Sequence, residues 1–399
     1  MDFPQTTVEK LRAYCRTKPG SEETLNTFGK HKPTFQLLGG FLDSFARFYI
    51  YETPVKLELR CTLERLIMLQ PHYPAITVSH RMRWETVGWK WTEVRLDDSV
   101  AIDELLRLLD ESYTLAFDAL CEHDKQFIRL NAEALSSSER FKRLLELHQL
   151  THRQVEIEAL IRPAISLQAH RTDDEQIPIG YSKIGGLPDF PPGVKWPFMD
   201  EFPSAFVAQI NLAQISPEVN QDRLPEHGLL SFFSVNAWQL EDGDIPADLP
   251  WERATSQVLY FTDEASTLKR HPKPNEVDMR VFPSAEVIFE TTSSLPRASD
   301  STRDPVLLAL GWSEQEYEHL DDLYFDFAYD HDTNHQMLGY AGSMQETVAV
   351  LGNVLLLEIG SDLALDLMWG DGGSLYFTIS ETDLRQHNFT DVCGDFQTC

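Results

Sequence analysis

The sequence predicts an α+β protein in two parts, a small α+β domain followed by a larger β-rich one, joined by helices. Three observations carry this expectation. The 399 residues exceed one typical domain and suit two or three. Helical and strand patterns alternate up to residue 120, whereas from Pro178 onward short segments rich in proline, glycine and aromatic residues take over. Charge is also divided unevenly. The chain carries 34 Lys/Arg against 63 Asp/Glu, a formal −29; the first 120 residues hold fifteen and seventeen of these, the remainder nineteen and forty-six.

The elements follow in order. Thr6 or Thr7 caps a helix over residues 6–18 that Pro19-Gly20 ends. Thr34–Leu38, Phe45–Tyr51 and Val55–Leu59 are apolar, β-branched and turn-bounded, as in a meander of strands. Leu63–Leu69 is a short helix stopped by Pro71. Two tryptophan-rich strands follow, Met82–Val87 and Trp89–Leu96, with Gly88 between them. Ile102, Leu105, Leu106, Leu109 and Tyr113 recur at helical spacing behind Asp103-Glu104, which suits the positive end of a helix. Residues 121–170 read as helical and charged, with Ser136-Ser137-Ser138 as a cap and one helix over Glu139–Leu160. The expected domains are therefore 1–120, a helical linker over 121–154, and 155–399.

Strand character then appears at Ala205–Leu212, Leu229–Val235, Gln257–Thr262, Leu355–Ile359 and Ser374–Ile379. Phe206–Asn211 followed by Gly228–Phe233 is echoed by Leu355–Gly360 followed by Gly373–Phe377. Two related strand pairs predict a pseudo-symmetric β core.

Composition excludes several classes. Hydrophobic residues make up 42% and charged residues 24%, as in a globular chain. The start, Met1-Asp2-Phe3-Pro4-Gln5, has no basic run before an apolar core, so no leader is expected. No uninterrupted apolar run reaches the ~18 residues of a membrane helix. The five cysteines, Cys15, Cys61, Cys121, Cys393 and Cys399, are odd in number and form no Cys-x-x-Cys pair, which favours reduced thiols in a cytoplasm over a disulfide framework or a zinc site. A strongly negative field repels nucleic acid and anionic lipid and speeds encounter with a basic partner; it also serves plain solubility.

No cofactor motif and no nucleophile motif is recognised. Ser182-Lys183-Ile184-Gly185-Gly186 lacks the spacing of a phosphate loop, and Pro188, Pro191 and Pro192 forbid a helix after it. A rigid crossing pinned by Trp196 is expected there. Trp369-Gly370-Asp371-Gly372-Gly373 reads either as an Asp-Gly turn before a strand or as an anion-binding nest. His331 and His335 stand four apart near Asp326, Asp330 and Asp332; on a helix they would aim at one metal, but no glutamate follows the first histidine and Gly339 limits the helix, so no metal is assigned. Residues 300–332 contain ten acidic residues and one basic, interleaved with aromatics. They are either a solvated face or a docking face whose candidates are Trp312, Tyr317, Asp321, Asp322, Tyr324 and Asp326. Arg81, Arg83, Lys90, Trp91 and Arg95 form the nucleic-acid candidate, diluted by Glu85 and Glu93.

Two resemblances add to this. Val8–Cys15, Lys18–Thr24, Val55-Lys56-Leu57, Tyr73–Thr77, Trp91–Asp97 and Asp110–Tyr113 resemble the MmcQ/YjbR-like family. That resemblance implies a small CyaY/YjbR-like α+β fold and brings a suggested DNA-binding role, although the stretch His80–Lys90 is longer than the family's and altered. From residue 155 the chain looks like the YwqG-like family, a domain of unknown function. The motifs are Ser182–Asp189, Pro191–Pro197, Phe206–Leu212, Leu224–Phe233, His335–Tyr340 and Met368–Phe377. Where that family has glutamine in its second strand motif, this chain has Glu358.

The leading functional expectation is a bacterial-type cytoplasmic interaction protein, non-catalytic, using its acid to bind a basic protein, as immunity proteins do. One alternative is a small-ligand binder or enzyme with a pocket between the repeated β units, lined by Lys183, Gln209, His335, Trp369 and Asp371. The other is nucleic-acid binding through the N-terminal domain.

Overall fold

The computed structural model describes residues 3–26, 32–37, 44–79, 89–199, 202–217, 223–234, 256–263, 265–274, 281–299, 305–331, 334–348, 353–362 and 364–398. The chain forms two compact units that divide between Arg143 and Leu144. Among the described residues no helix is long and apolar enough to cross a membrane.

The first unit runs α1 (Phe3–Arg16), β1 (Ser21–Asn26), β2 (Lys32–Leu37), β3 (Ala46–Tyr49), β4 (Lys56–Thr62), α2 (Leu63–Leu69), β5 (Ile76–Val78), β6 (Trp89–Arg95), α3 (Ile102–Ala119) and α4 (Glu122–Asn131). Its strands make one antiparallel sheet in the order β1-β2-β3-β4-β6-β5. Alternation along β4 sends Leu57, Leu59 and Cys61 into a core with Leu11 of α1, Leu66 of α2 and Leu108 and Leu109 of α3. It sends Glu58 and Arg60 to the opposite face. There the Arg47 guanidinium lies 4.0 Å from the Trp91 ring and 3.4 Å from Glu58, while Arg60 covers Trp89. Thr62 caps α2 by accepting from the Arg65 N–H. The expected strand Met82–Val87 lies outside the described residues. Strands β1 and β5 were not expected, because Ser21–Asn26 is polar and Ile76–Val78 is three residues long.

The region read as one bridging helix is broken. Helix α5 (Ser137–Leu147) ends before Gln149, whose φ is +58°, and a 3-10 turn (Thr151–Arg153) leads into α6 (Gln154–Leu160). The helical reading of the next ten residues is overturned: Arg162–Arg171 is strand β7, with Ala164, Ile165, Ser166 and Leu167 all buried. Burial on both faces hid the period-2 signal.

Beyond β7 come β8 (Lys183–Ile184), β9 (Asp189–Phe190), β10 (Phe198–Met199), β11 (Phe202–Pro203), β12 (Ala205–Asn211), β13 (Leu229–Ser234), β14 (Ser256–Phe261), β15 (Lys269–Arg270) and β16 (Ala285–Ser294). The last stretch holds α7 (Pro305–Leu308), α8 (Glu314–His331), β17 (His335–Leu338), β18 (Asn353–Gly360), β19 (Ser374–Ser380), α9 (Glu381–Arg385) and β20 (Cys393–Gln397). Ten of these strands form one antiparallel sheet, β14-β13-β12-β8-β16-β7-β17-β18-β19-β20. The sheet curls over its own core, so that Phe232 of β13 meets Phe377 of β19 with ring centroids 5.1 Å apart. Its two edges approach until a Cβ on Gly394 of β20 would overlap the Ser256 side chain of β14.

The sheet is built twice over, and the copies exchange their leading strands. β8 joins β12, β13 and β14 on one side; β17 joins β18, β19 and β20 on the other. β7 opens the first copy in sequence yet pairs with β17, and β16 opens the second yet pairs with β8. β7 and β16 meet along a ten-residue seam, from Arg162 opposite Ser294 to Arg171 opposite Ala285. Both copies carry a bulge at the same place, Phe206/Ala208 in β12 and Leu355/Leu357 in β18.

Candidate functional site

Each copy has a buried polar node on the outer face of the sheet. In the first, Lys183 pairs with Gln209 across β8 and β12, opposite in direction to the inward Ile184 and Ala208. Gly185 and Gly186 then leave the strand with φ of +66° and +72°. A Cβ on Gly186 would overlap Asp174 Oδ1, so only glycine lets that carboxylate close over the turn. Asp174 accepts from the Leu187 N–H at 3.2 Å and from Lys183 Nζ at 2.7 Å, and Lys183 also donates to the Leu187 carbonyl at 2.5 Å. Asp189 accepts from the Gly180 N–H and Gln209 Nε2, and forms an ion pair with Arg270 at 2.9 Å. Burial pushes the Lys183 ammonium below its ordinary pKa, with Asp174 acting against the shift. Burial pushes Asp189 up, but Arg270, Lys183 and the Gly180 N–H together hold it below the usual carboxylate range.

The second node repeats this geometry with different chemistry. Gln336 stands where Lys183 does and Glu358 where Gln209 does. Leu338 and Gly339 take φ of +62° and +70°. Gln336 Nε2 donates to the Tyr340 carbonyl at 2.8 Å, as Lys183 does to Leu187. The Tyr340 N–H donates to Ser294 Oγ as Leu187 does to Asp174, and the Gly342 N–H to Glu358 Oε2 as Asp189 does to Gln209 Oε1. Lysine and glutamine have become glutamine and glutamate. Glu358 is buried, and among the described residues no Lys, Arg or His forms an ion pair with it. Burial raises its pKa to about 7, against the hydrogen bonds from Gly342, Gln336 and Ser374.

The five pocket candidates do not meet. Lys183 and Gln209 share the first node on the outer face. His335 has the inward parity of Met337 and approaches Asp362 at 3.4 Å; Trp369 is buried in the core against Phe282, at 5.0 Å. Opposite faces of one sheet cannot line one cavity. Asp371 is exposed in a turn where its N–H donates to Thr398 Oγ1 and the Gly373 N–H closes back on the Trp369 carbonyl. The motif is thus a turn ahead of β19. The crossing expected at Trp196 is present, with the indole donating to the Ser204 carbonyl at 2.9 Å. His331 ends α8 while His335 begins β17, so the two are not one helical turn apart on a common helix.

Helix α8 uses most of its aromatic residues inward. Trp312, Tyr317 and Asp326 are buried: Tyr317 donates to the Leu307 carbonyl, and Asp326 sits 2.8 Å from His148. Asp321 binds Arg297 at 3.0 Å and accepts from the Ala298 and Ser299 N–H groups, while Tyr324 is partly buried beneath Arg297. As docking anchors these five are therefore spent on packing. Asp322 is exposed, and on the same side lie Glu314, Glu318, Phe325 and Tyr329, with Phe325 54% exposed. The spacing of four, four, three and four residues makes them one outward stripe. Phe325 and Tyr329 were in the acidic-aromatic run but not among the residues singled out, since sequence does not say which side of a mixed helix faces the sheet.

In the first unit Arg81 and Arg83 lie outside the described residues. Trp91 is buried under Arg47, Lys90 is half-buried, and Arg95 is exposed 3.6 Å from Asp97. At the start of α4, Cys121, His123 and Asp124 bring one ligand atom each within 4.8 Å of one another, a grouping the sequence reading passed over.

No curated protein matches this chain. A solved Deinococcus radiodurans protein, described by the family-model domain DUF419, is similar at 26% identity over 32% of this chain and 92% of its own, with a TM-score of 0.28. The family model described as a domain of unknown function, DUF1963, matches residues 182–398. That span covers more than half of the sequence, the whole second node and the first node apart from Asp174 and Gly180, in agreement with the C-terminal motifs read from the sequence, and this chain belongs to the DUF1963 family.

Proposed function

We propose that this chain acts by binding rather than by catalysis, in the cytoplasm, and docks a basic protein on the outward face of α8. The observation that carries this is the stripe Glu314, Glu318, Asp322, Phe325 and Tyr329, which sets carboxylates beside exposed rings. Rings of this kind supply buried area at an interface, and carboxylates steer a cationic surface toward it. The formal charge of −29 extends the attraction beyond the contact itself. An immunity-like role, neutralising a basic toxin, is one use of such a face. On its sequence motifs the N-terminal unit remains MmcQ/YjbR-like in this reading, with nucleic acid as its alternative ligand.

The test compares the full chain with Asp322→Lys/Phe325→Ala as baits in native lysate at low and high salt. Both residues are exposed, so the variant keeps its fold. A basic protein held by the wild type, released by salt and not held by the variant supports the reading. A partner retained by the variant, or indifferent to salt, overturns it.

A further inference from the structure

A cleft of about 730 Å3 opens in the C-terminal unit between residues 174–179 and residues 281–284, with Gly186, Leu187 and Arg270 completing its lining. Its size lies within the ~300–1,000 Å3 of small-molecule sites. The walls are mainly apolar, and Ile179 and Val281 are each 38% exposed in them.

Arg270 decides what the cleft can hold. A guanidinium carries five N–H groups in one plane. Here Nε donates to Asp189 Oδ1 at 2.9 Å, Nη1 to the Asp174 carbonyl while lying 3.1 Å from the Asp174 carboxylate, and Nη2 to the Ile177 carbonyl at 3.1 Å and toward Asp189 Oδ2 at 3.5 Å. The edge of the guanidinium thus faces two carboxylates and two carbonyls, which repel an anionic ligand. What the side chain still offers is its flat face, which stacks on π systems. Glu175 is exposed at the same lining and, among the described residues, has no cationic partner.

We infer that this cleft binds a small arylalkylamine: a flat aromatic ring against the Arg270 guanidinium, flanked by Ile179 and Val281, with its ammonium group toward Glu175. The site is separate from α8, and neither reading depends on the other.

Calorimetric titration of the full chain with tryptamine, indole and indole-3-acetate tests it. Tryptamine binds tighter than indole by about fivefold, the contribution of one exposed ion pair, and indole-3-acetate binds weakest. Val281→Asp weakens indole and tryptamine by at least about tenfold, the loss of apolar burial on one side of the ring. Glu175→Gln removes tryptamine's advantage and leaves indole unchanged. Both substituted residues are exposed, and unchanged circular dichroism and melting of the variants confirm that the fold is kept. Absence of saturable binding by all three compounds at millimolar concentration overturns the inference. So does binding that Val281→Asp leaves intact, or indole-3-acetate binding tightest.

Discussion

Replacing Glu358 with glutamine isolates the cost of a buried carboxylate that, among the described residues, has no cation paired with it. The substitution is one the fold already accommodates: Gln209, at the same place in the other copy, accepts from the Asp189 N–H and donates to the Tyr181 carbonyl and Asp189 Oδ2. The groups that face Glu358 are Gln336, the Gly342 N–H, Ser374, and the Tyr324 and Tyr376 phenols, none of them cationic. A pKa of about 7 in the folded state against 4.5 in the reference state corresponds to roughly 3 kcal/mol of differential stability. The folded chain binds this proton more tightly than the unfolded chain does. Stability is therefore highest below pH 4.5, falls as pH rises toward 7, and is flat beyond. Many other carboxylates titrate in this range, so the measurement is the difference between wild type and Glu358→Gln. Hydrogen exchange of peptides covering β18 and β19 reports the C-terminal unit alone. The two proteins should exchange alike near pH 4.5, and the variant should be more protected at pH 8 by roughly 3 kcal/mol of opening free energy. A difference that stays constant across this range refutes the argument.

Further outcomes follow from the same geometry. Gly186→Ala and Gly339→Ala should each destabilise by about 1–2 kcal/mol from the left-handed backbone alone, and by more because their Cβ atoms overlap Asp174 Oδ1 and Ser294 Oγ; urea unfolding checks both. Among the described thiols Cys121 is exposed and should react first with a thiol reagent, whereas burial raises the Cys61 thiol to about 11 and pushes Cys15 further still; mass spectrometry of the labelled native protein reads the order. Ser380 caps α9 by accepting from the Asp383 N–H, so Ser380→Ala should cost about 1 kcal/mol in the same urea assay.

The sequence made the doubled strand pairs legible because similar apolar segments recur in the same order: Phe206–Asn211 with Gly228–Phe233 became β12 and β13, and the later pair became β18 and β19. The helix Leu63–Leu69 and the strand at Trp89 were readable from caps and periodicity. The exchange of β7 and β16 was not, because register between residues more than a hundred positions apart leaves no local pattern. Nor was the equivalence of the two polar nodes. Residues 183–189 and 336–342 share one glycine in register, Gly186 with Gly339, while the matching hydrogen bonds run mostly through backbone atoms. Candidate residues were chosen by chemical type, and type did not reveal which face of the sheet a side chain takes. Lys183 and Trp369 were thus grouped although the sheet separates them.

The crossed leading strands impose an order on assembly during synthesis. β7 is translated early, yet both of its sheet neighbours, β16 and β17, lie more than a hundred residues downstream. Until the ribosome has delivered them, Arg162–Arg171 has no partner along either edge, and unsatisfied strand edges invite pairing with other chains. The first copy in turn cannot close without β16, the opening strand of the second. The first half is therefore unfinished when it leaves the exit tunnel, and a chain truncated anywhere before β17 leaves β7 without one of its neighbours. The doubled sheet therefore closes only once β16 and β17 are both present beside the strands that precede them.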